Sequence, residues 1–139
     1  AQVHHQDGEL DEAIRWYREG LRLNPDYAWG HLHLGQALLQ EGRWRDAEAQ
    51  LRRGIALEPD TPNVPWAYVA LGEALAKQYR TDEAIAAWRE ALAHDPRVPR
   101  ADAELCATLR RLGRDREAAE HCAAAARLQA ERHGSAPGR

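Results

Sequence analysis

The chain has 139 residues, 19 basic and 22 acidic side chains and a formal net charge of −3. That length suits one domain, and the slight acidity argues against a general nucleic-acid binder, which needs a basic surface to displace counterions from phosphates. No apolar run approaches a bilayer span and no signal-peptide pattern is present, so no membrane partner is expected and the expected location is cytoplasmic, unless a targeting segment has been removed.

In chain order, Gly8 precedes a helix expected over Leu10 to Leu23, which Asn24-Pro25 stops. Tyr27 to Glu41 and Trp44 to Leu57 follow, separated at Gly42 and ended by Pro59. Val64 to Gln78 and Thr81 to His94 form the next two, ended by Asp95-Pro96. Arg100 to Leu112 and Asp115 to about Arg132 complete the set, separated at Gly113. Proline lacks a donor and disfavours helix in the residue before it, while glycine ends a helix where a left-handed backbone is needed. The connection Glu58 to Pro65 is three residues longer than its counterparts and holds three prolines. It reads as a tolerated loop insertion, or as a bend in the array or a lengthened first turn of the helix that follows. Ser135 to Arg139 has the composition of a linker.

The same block recurs: Gly8, Ala13, Tyr17, Gly20, Pro25; Gly35, Gly42, Ala47, Leu51, Gly54, Pro59; Gly72, Ala84, Trp88, Ala91, Pro96; and an imperfect Cys106, Gly113, Ala118, Cys122, Ala125. Pro25 and Pro59 are 34 residues apart, a helix-turn-helix repeat period. These positions resemble the tetratricopeptide repeat family. The resemblance implies an all-α fold: a right-handed superhelical α-solenoid of antiparallel helix pairs over residues 1–132. Its copies are a partial 1–25, then 26–59, 60–96 and 97–132, with 133–139 as a disordered tail or linker. Tyr79 stands where the inter-helix glycine is expected, Cys106 at the second glycine and Ala130 at the terminal proline. The half helix in copy one, Ala1 at the start and the absence of Met suggest a piece of a longer protein. The near-exclusive use of Arg over Lys, Lys77 being the sole lysine, fits a high-GC bacterial source.

Small residues let paired helices approach, so Gly35 should face Ala47 and Gly72 should face Ala84, while Leu34, Leu38, Leu51, Leu71, Leu75 and Trp88 fill the gaps. Stacked pairs place the first helix of each repeat on a concave wall. In the family, ligands lie along that wall, which implies Trp29, Leu32, His33, Gln36 and Gln40 in copy two and Trp66, Val69, Ala70, Glu73 and Lys77 in copy three. Arg100, Ala103, Glu104, Ala107, Arg110 and Arg111 follow in copy four, and Gln2, His5 and Gln6 are added from copy one. Trp29 and Trp66 are read either as exposed anchors or as packing into the neighbouring repeat. Arg110 and Arg111 are read either as a carboxylate site or as a solvated pair. The family's carboxylate clamp and asparagine ladder are missing: Leu32, Gln36, Ala70, Arg100 and Glu104 occupy the clamp positions, and His33, Ala70 and Glu104 those of the ladder.

No nucleophile with a base, phosphate loop or zinc spacing is found, so no catalysis, cofactor or metal is expected. His31 and His33 lie two apart on a helix and face apart. Cys106 and Cys122 are expected to be buried free thiols; a disulfide needs Cα atoms within about 7 Å. The small side chains of Cys122 to Ala126 read either as a bland helix or, with the cut first copy, as ends that self-associate. The expected function is a non-catalytic module that binds a peptide or protein segment in its groove. The alternative is a regulatory or oligomerising segment of a bacterial glycosyltransferase, sulfotransferase or methyltransferase.

Overall fold

The computed structural model describes the backbone of residues 2–62 and 64–134 and the side chains of residues 8–62, 64–98 and 100–131. Among the described residues there are seven helices and no strand: α1 Gln2–Leu23, α2 Ala28–Gln40, α3 Trp44–Leu57, α4 Val64–Lys77, α5 Thr81–His94, α6 Pro99–Arg111 and α7 Asp115–Gly134. Helices α2 with α3, α4 with α5 and α6 with α7 form the three most extensive interfaces. Smaller interfaces join α1 to α2, α3 to α4 and α5 to α6, and α2 also touches α4. This is the pattern of an α-solenoid, in which each hairpin is covered by its neighbours.

The turn inside each hairpin closes in the same way. The amides of Arg43, Arg80 and Arg114 donate to the carbonyls of Leu38, Leu75 and Leu109 at 2.9, 3.0 and 2.8 Å. This closure needs a left-handed residue one place earlier, supplied by Gly42 at φ 83° and Gly113 at φ 79°. In the middle hairpin Tyr79 adopts the same conformation at φ 63° and keeps its ring in solvent. The same three arginines then pair with Asp46, Glu83 and Glu117, three residues on, placing an acid in the first turn of each second helix.

The close approaches fall where the small residues are. A Cβ on Gly35 would come 2.7 Å from Leu51 Cγ and 3.2 Å from the Ala47 carbonyl oxygen. One on Gly72 would overlap the Trp88 indole, whose Nε1 donates to the Val69 carbonyl at 3.2 Å. Leu34, Leu38, Leu51, Leu71, Leu75 and Trp88 are all buried, as the packing expectation requires.

Two expectations are corrected. The break expected ahead of Leu10 does not form, because α1 continues unbroken through Gly8. Nothing lies within 4 Å of a Cβ at Gly8, so no opposing rod enforces a turn, and elongation gains a hydrogen bond per residue. Cys106 and Cys122 are not free thiols but a disulfide with a Cα–Cα distance of 4.8 Å. They occupy the register positions of Gly35 and Leu51, where paired helices come closest, and that register brings them within bonding range. Neither cysteine is fully buried.

Candidate protein-binding groove

The first turns of α2 and α4 carry Trp29 and Trp66 at equivalent places, and a cluster of rings forms around them. Trp29 packs on His33 with centroids 3.9 Å apart, and His33 reaches Trp66 at 5.5 Å. Tyr17 of α1 meets Trp29 edge-on at 6.1 Å and stacks on His33 at 6.0 Å, while Tyr27 closes the outer side at 5.9 Å from Trp29. Trp29 remains 43% exposed, whereas Trp66 is half-buried against the core. Burial lowers the pKa of His33, so the imidazole acts at neutral pH as an uncharged ring among aromatic neighbours.

Trp66 also forms one wall of an adjoining cavity of about 200 Å³. Leu39, Val69, Ala70 and Val98 make it apolar, and Gln36, Glu73 and Arg100 supply its polar margin. Arg100 Nη2 donates to Glu73 Oε1 at 3.0 Å, an ion pair that joins α6 to α4. The Arg100 Nε also lies 3.7 Å from Glu104. The result is a ring cluster continuous, through one shared indole, with a recess bounded by opposite charges.

Of the expected wall residues, Trp29, His33, Gln36, Trp66, Val69, Glu73 and Arg100 therefore gather in the cluster or the cavity. Val69 is only 7% exposed and reaches the cavity as part of its lining. Leu32 is a correction: it is 2% exposed and turned into its own hairpin, its Cδ2 lying 2.6 Å from where a Gly54 Cβ would stand. Lys77 points elsewhere, its Nζ 5.6 Å from the Trp44 ring centroid, at a broad cleft of about 840 Å³ beside Arg43, Arg45 and Arg80. Gln40 is exposed and lines neither space, and Arg110 and Arg111 are exposed without an ion pair among the described residues. The side chains of Gln2, His5 and Gln6 and the tail 135–139 lie outside the described residues.

Tyr17 lies in the ring cluster and Leu39 and Val98 line the cavity, although the sequence did not single them out. Tyr17 recurs at the aromatic position of the second helix, which marks it as packing and hides its reach to His33. Val98 caps α6 from the connection, and only the fold brings it to α4. His31, two residues from the cluster, is engaged in holding the turn. Its Nε2 donates to the Pro25 carbonyl at 2.7 Å, and Nδ1 lies 2.8 Å from the Gln50 side chain.

No group of three or more potential metal ligands occurs among the described residues. No helix among them is long and apolar enough to cross a membrane.

A family model for the TPR repeat matches residues 1–42, and a second, for the tetratricopeptide repeat, matches residues 65–98. No curated protein sequence matches the chain. Among solved structures, a crystal structure of MamA superposes with a TM-score of 0.80 at 25% identity, covering 89% of this chain and 71% of that one. A double mutant of MamA from strain RS-1 gives 0.82 at 22% identity over 94% and 71%. A MamA fragment from Desulfovibrio magneticus RS-1 gives 0.81 at 22% over 94% and 72%. The repeats and this likeness support a protein-interaction scaffold. With matches to both repeat models and a solenoid built on the same hairpin, the chain carries tetratricopeptide repeats.

Proposed function

We propose that this array is a non-catalytic module whose concave face binds an extended segment of a protein partner, with one apolar side chain of that segment seated between Trp66, Val69 and Val98. The observation that carries this reading is the continuity of the part-exposed Trp29–His33–Trp66 cluster with the apolar cavity. A recess of about 200 Å³ matches one aliphatic or aromatic side chain in size, and burying such a group contributes roughly 1.5–3 kcal/mol. Trp29 supplies further area at low entropic cost, and the Glu73–Arg100 pair orients polar backbone or side chains at the margin. Gln36 extends the polar side of the wall, and the exposed Arg110 and Arg111 are available to acidic residues farther along the segment.

The test is selection of peptides from a displayed random library on the immobilised protein. Enriched peptides should share an apolar residue, and Trp66→Ala should weaken them roughly thirtyfold, the effect of a hot-spot indole worth about 2 kcal/mol. Helicity by circular dichroism should stay unchanged. Binding at the wild-type level by both the Trp29→Ala and Trp66→Ala variants would remove the groove from consideration.

A second reading, self-association through an end of the array, is favoured by the exposure of Trp16 at 71% and Leu23 at 77% on α1. Sedimentation at high concentration decides it: a strictly monomeric chain rejects it, and dimers lost on Trp16→Glu support it.

A further inference from the structure

The terminal hairpin differs from the two central ones at the seam where its helices meet. In α2–α3 Gly35 faces Leu51 and in α4–α5 Gly72 faces Trp88, a missing side chain against a large buried one. In α6–α7 the corresponding residues are Cys106 and Cys122, neither large and neither fully buried. Between Ala118 and Leu128 no side chain of α7 is fully buried, so α7 brings little buried apolar material of its own to the seam over nearly three turns. A hydrogen bond from His121 Nδ1 to the buried Asp102 carboxylate, 2.9 Å, also crosses it. The covalent link stands where the other hairpins have their largest packing residue.

We propose that the Cys106–Cys122 bond is a site of thiol–disulfide exchange that staples the terminal hairpin, holding α7 on α6 when oxidised and releasing it when a dithiol reduces it. The thiolate of the dithiol attacks one Sγ, the Sγ–Sγ bond breaks, and the other cysteine leaves as a thiolate that takes a proton from water. The second thiol of the dithiol, after losing its proton, then attacks the mixed disulfide, leaving a disulfide in the reagent and two thiols in the protein. The two electrons come from the dithiol; a small-molecule disulfide reverses the exchange. Incomplete burial of both cysteines leaves the pair open to attack. Because α6 carries Arg100 and is preceded by Val98, release of the hairpin would also loosen one side of the cavity. That last consequence rests on the groove reading above, whereas the staple itself does not.

The test measures hydrogen exchange by mass spectrometry on the 139-residue chain, purified without reductant and then treated with dithiothreitol, with thiols counted by maleimide labelling. No thiol should label before treatment and two after it, and exchange in α7 should accelerate on the order of a hundredfold while α3 to α5 are unchanged. Cys106→Ser with Cys122→Ser should behave like the reduced protein in both buffers. Cys106→Gly with Cys122→Leu, which reinstates the Gly35–Leu51 pairing, should restore protection that dithiothreitol does not alter. Two labelled thiols in the air-oxidised protein, unchanged α7 exchange after reduction, or a Gly/Leu variant that stays loose would each overturn the proposal. No partner enters any arm, so its outcome is independent of the groove.

Discussion

Gly72 and Gly20 are the same residue type under opposite constraints. A methyl on Gly72 would enter the Trp88 indole, which is fully buried and tied to Val69, so the neighbour cannot move aside. Gly72→Ala is expected to cost roughly 1–3 kcal/mol through overpacking, seen as an earlier midpoint in urea. Gly20, in the exposed last part of α1, has nothing within 4 Å. Gly20→Ala should stabilise by about 0.4–1 kcal/mol because alanine costs less backbone entropy in a helix. Tyr79 presents a third case: its φ of 63° is one that L side chains resist, and its ring is 92% exposed and contributes little packing. Tyr79→Gly should therefore raise stability by about 1 kcal/mol. A lower thermal midpoint for this variant would show that the exposed ring has contacts that outweigh the strain.

Between elements, carboxylates tie one hairpin to the next. Glu117 accepts from Arg114 in its own hairpin and from Arg89 of α5, and these hydrogen bonds, Arg114 first, hold its pKa down to about 2. Burial pushes the Glu48 carboxyl up, but hydrogen bonds from Gln78 and Arg52 and the charge of Arg80 outweigh it, leaving the pKa lowered. Both folded values lie below the ordinary 4.5, so the folded state binds fewer protons and the contribution is fully present above about pH 4.5. It is lost as pH falls, for Glu117 between about 4.5 and 2. Carboxyl NMR should give Glu117 a midpoint near 2, and Glu117→Gln should flatten that part of the acid transition; titration near 4.5 would refute the pairing. The arginine and acid three apart at the start of α3, α5 and α7, Arg43/Asp46, Arg80/Glu83 and Arg114/Glu117, stand in one register of the repeat and pair locally. The pairing of Arg80 with Glu48, 32 residues away, was not legible in the sequence, because local spacing says nothing about which repeats meet.

Across the whole molecule, the periodic residues made the hairpins readable: the ends of α3 and α5 fall at the expected residues, since proline and the short turn leave one solution. The candidate groove was readable only in part. Trp29 and Trp66 were placed by register, but Leu32 turned inward because Gly54 opens a slot for it, and Lys77 turned to Trp44, a residue of the other helix. Register fixes where a Cα sits, whereas side-chain direction depends on the gaps that neighbours leave. The same accounting predicts how the array opens. Helix α2 buries nine residues and α4 eight, each covered by neighbouring helices on both sides, while α1 has Ile14 and Leu21 as its buried described side chains and α7 has Ala118 and Leu128. In a solenoid stability adds from neighbour to neighbour, so exchange should follow these differences and not a single global opening. Amide exchange of the oxidised chain should be slowest in α2 to α5 and fastest in α1, with α7 between them because its seam is thin but covalently tied. Uniform exchange across all seven helices would instead mean that the array opens as one unit, with the interfaces between hairpins as strong as those within them.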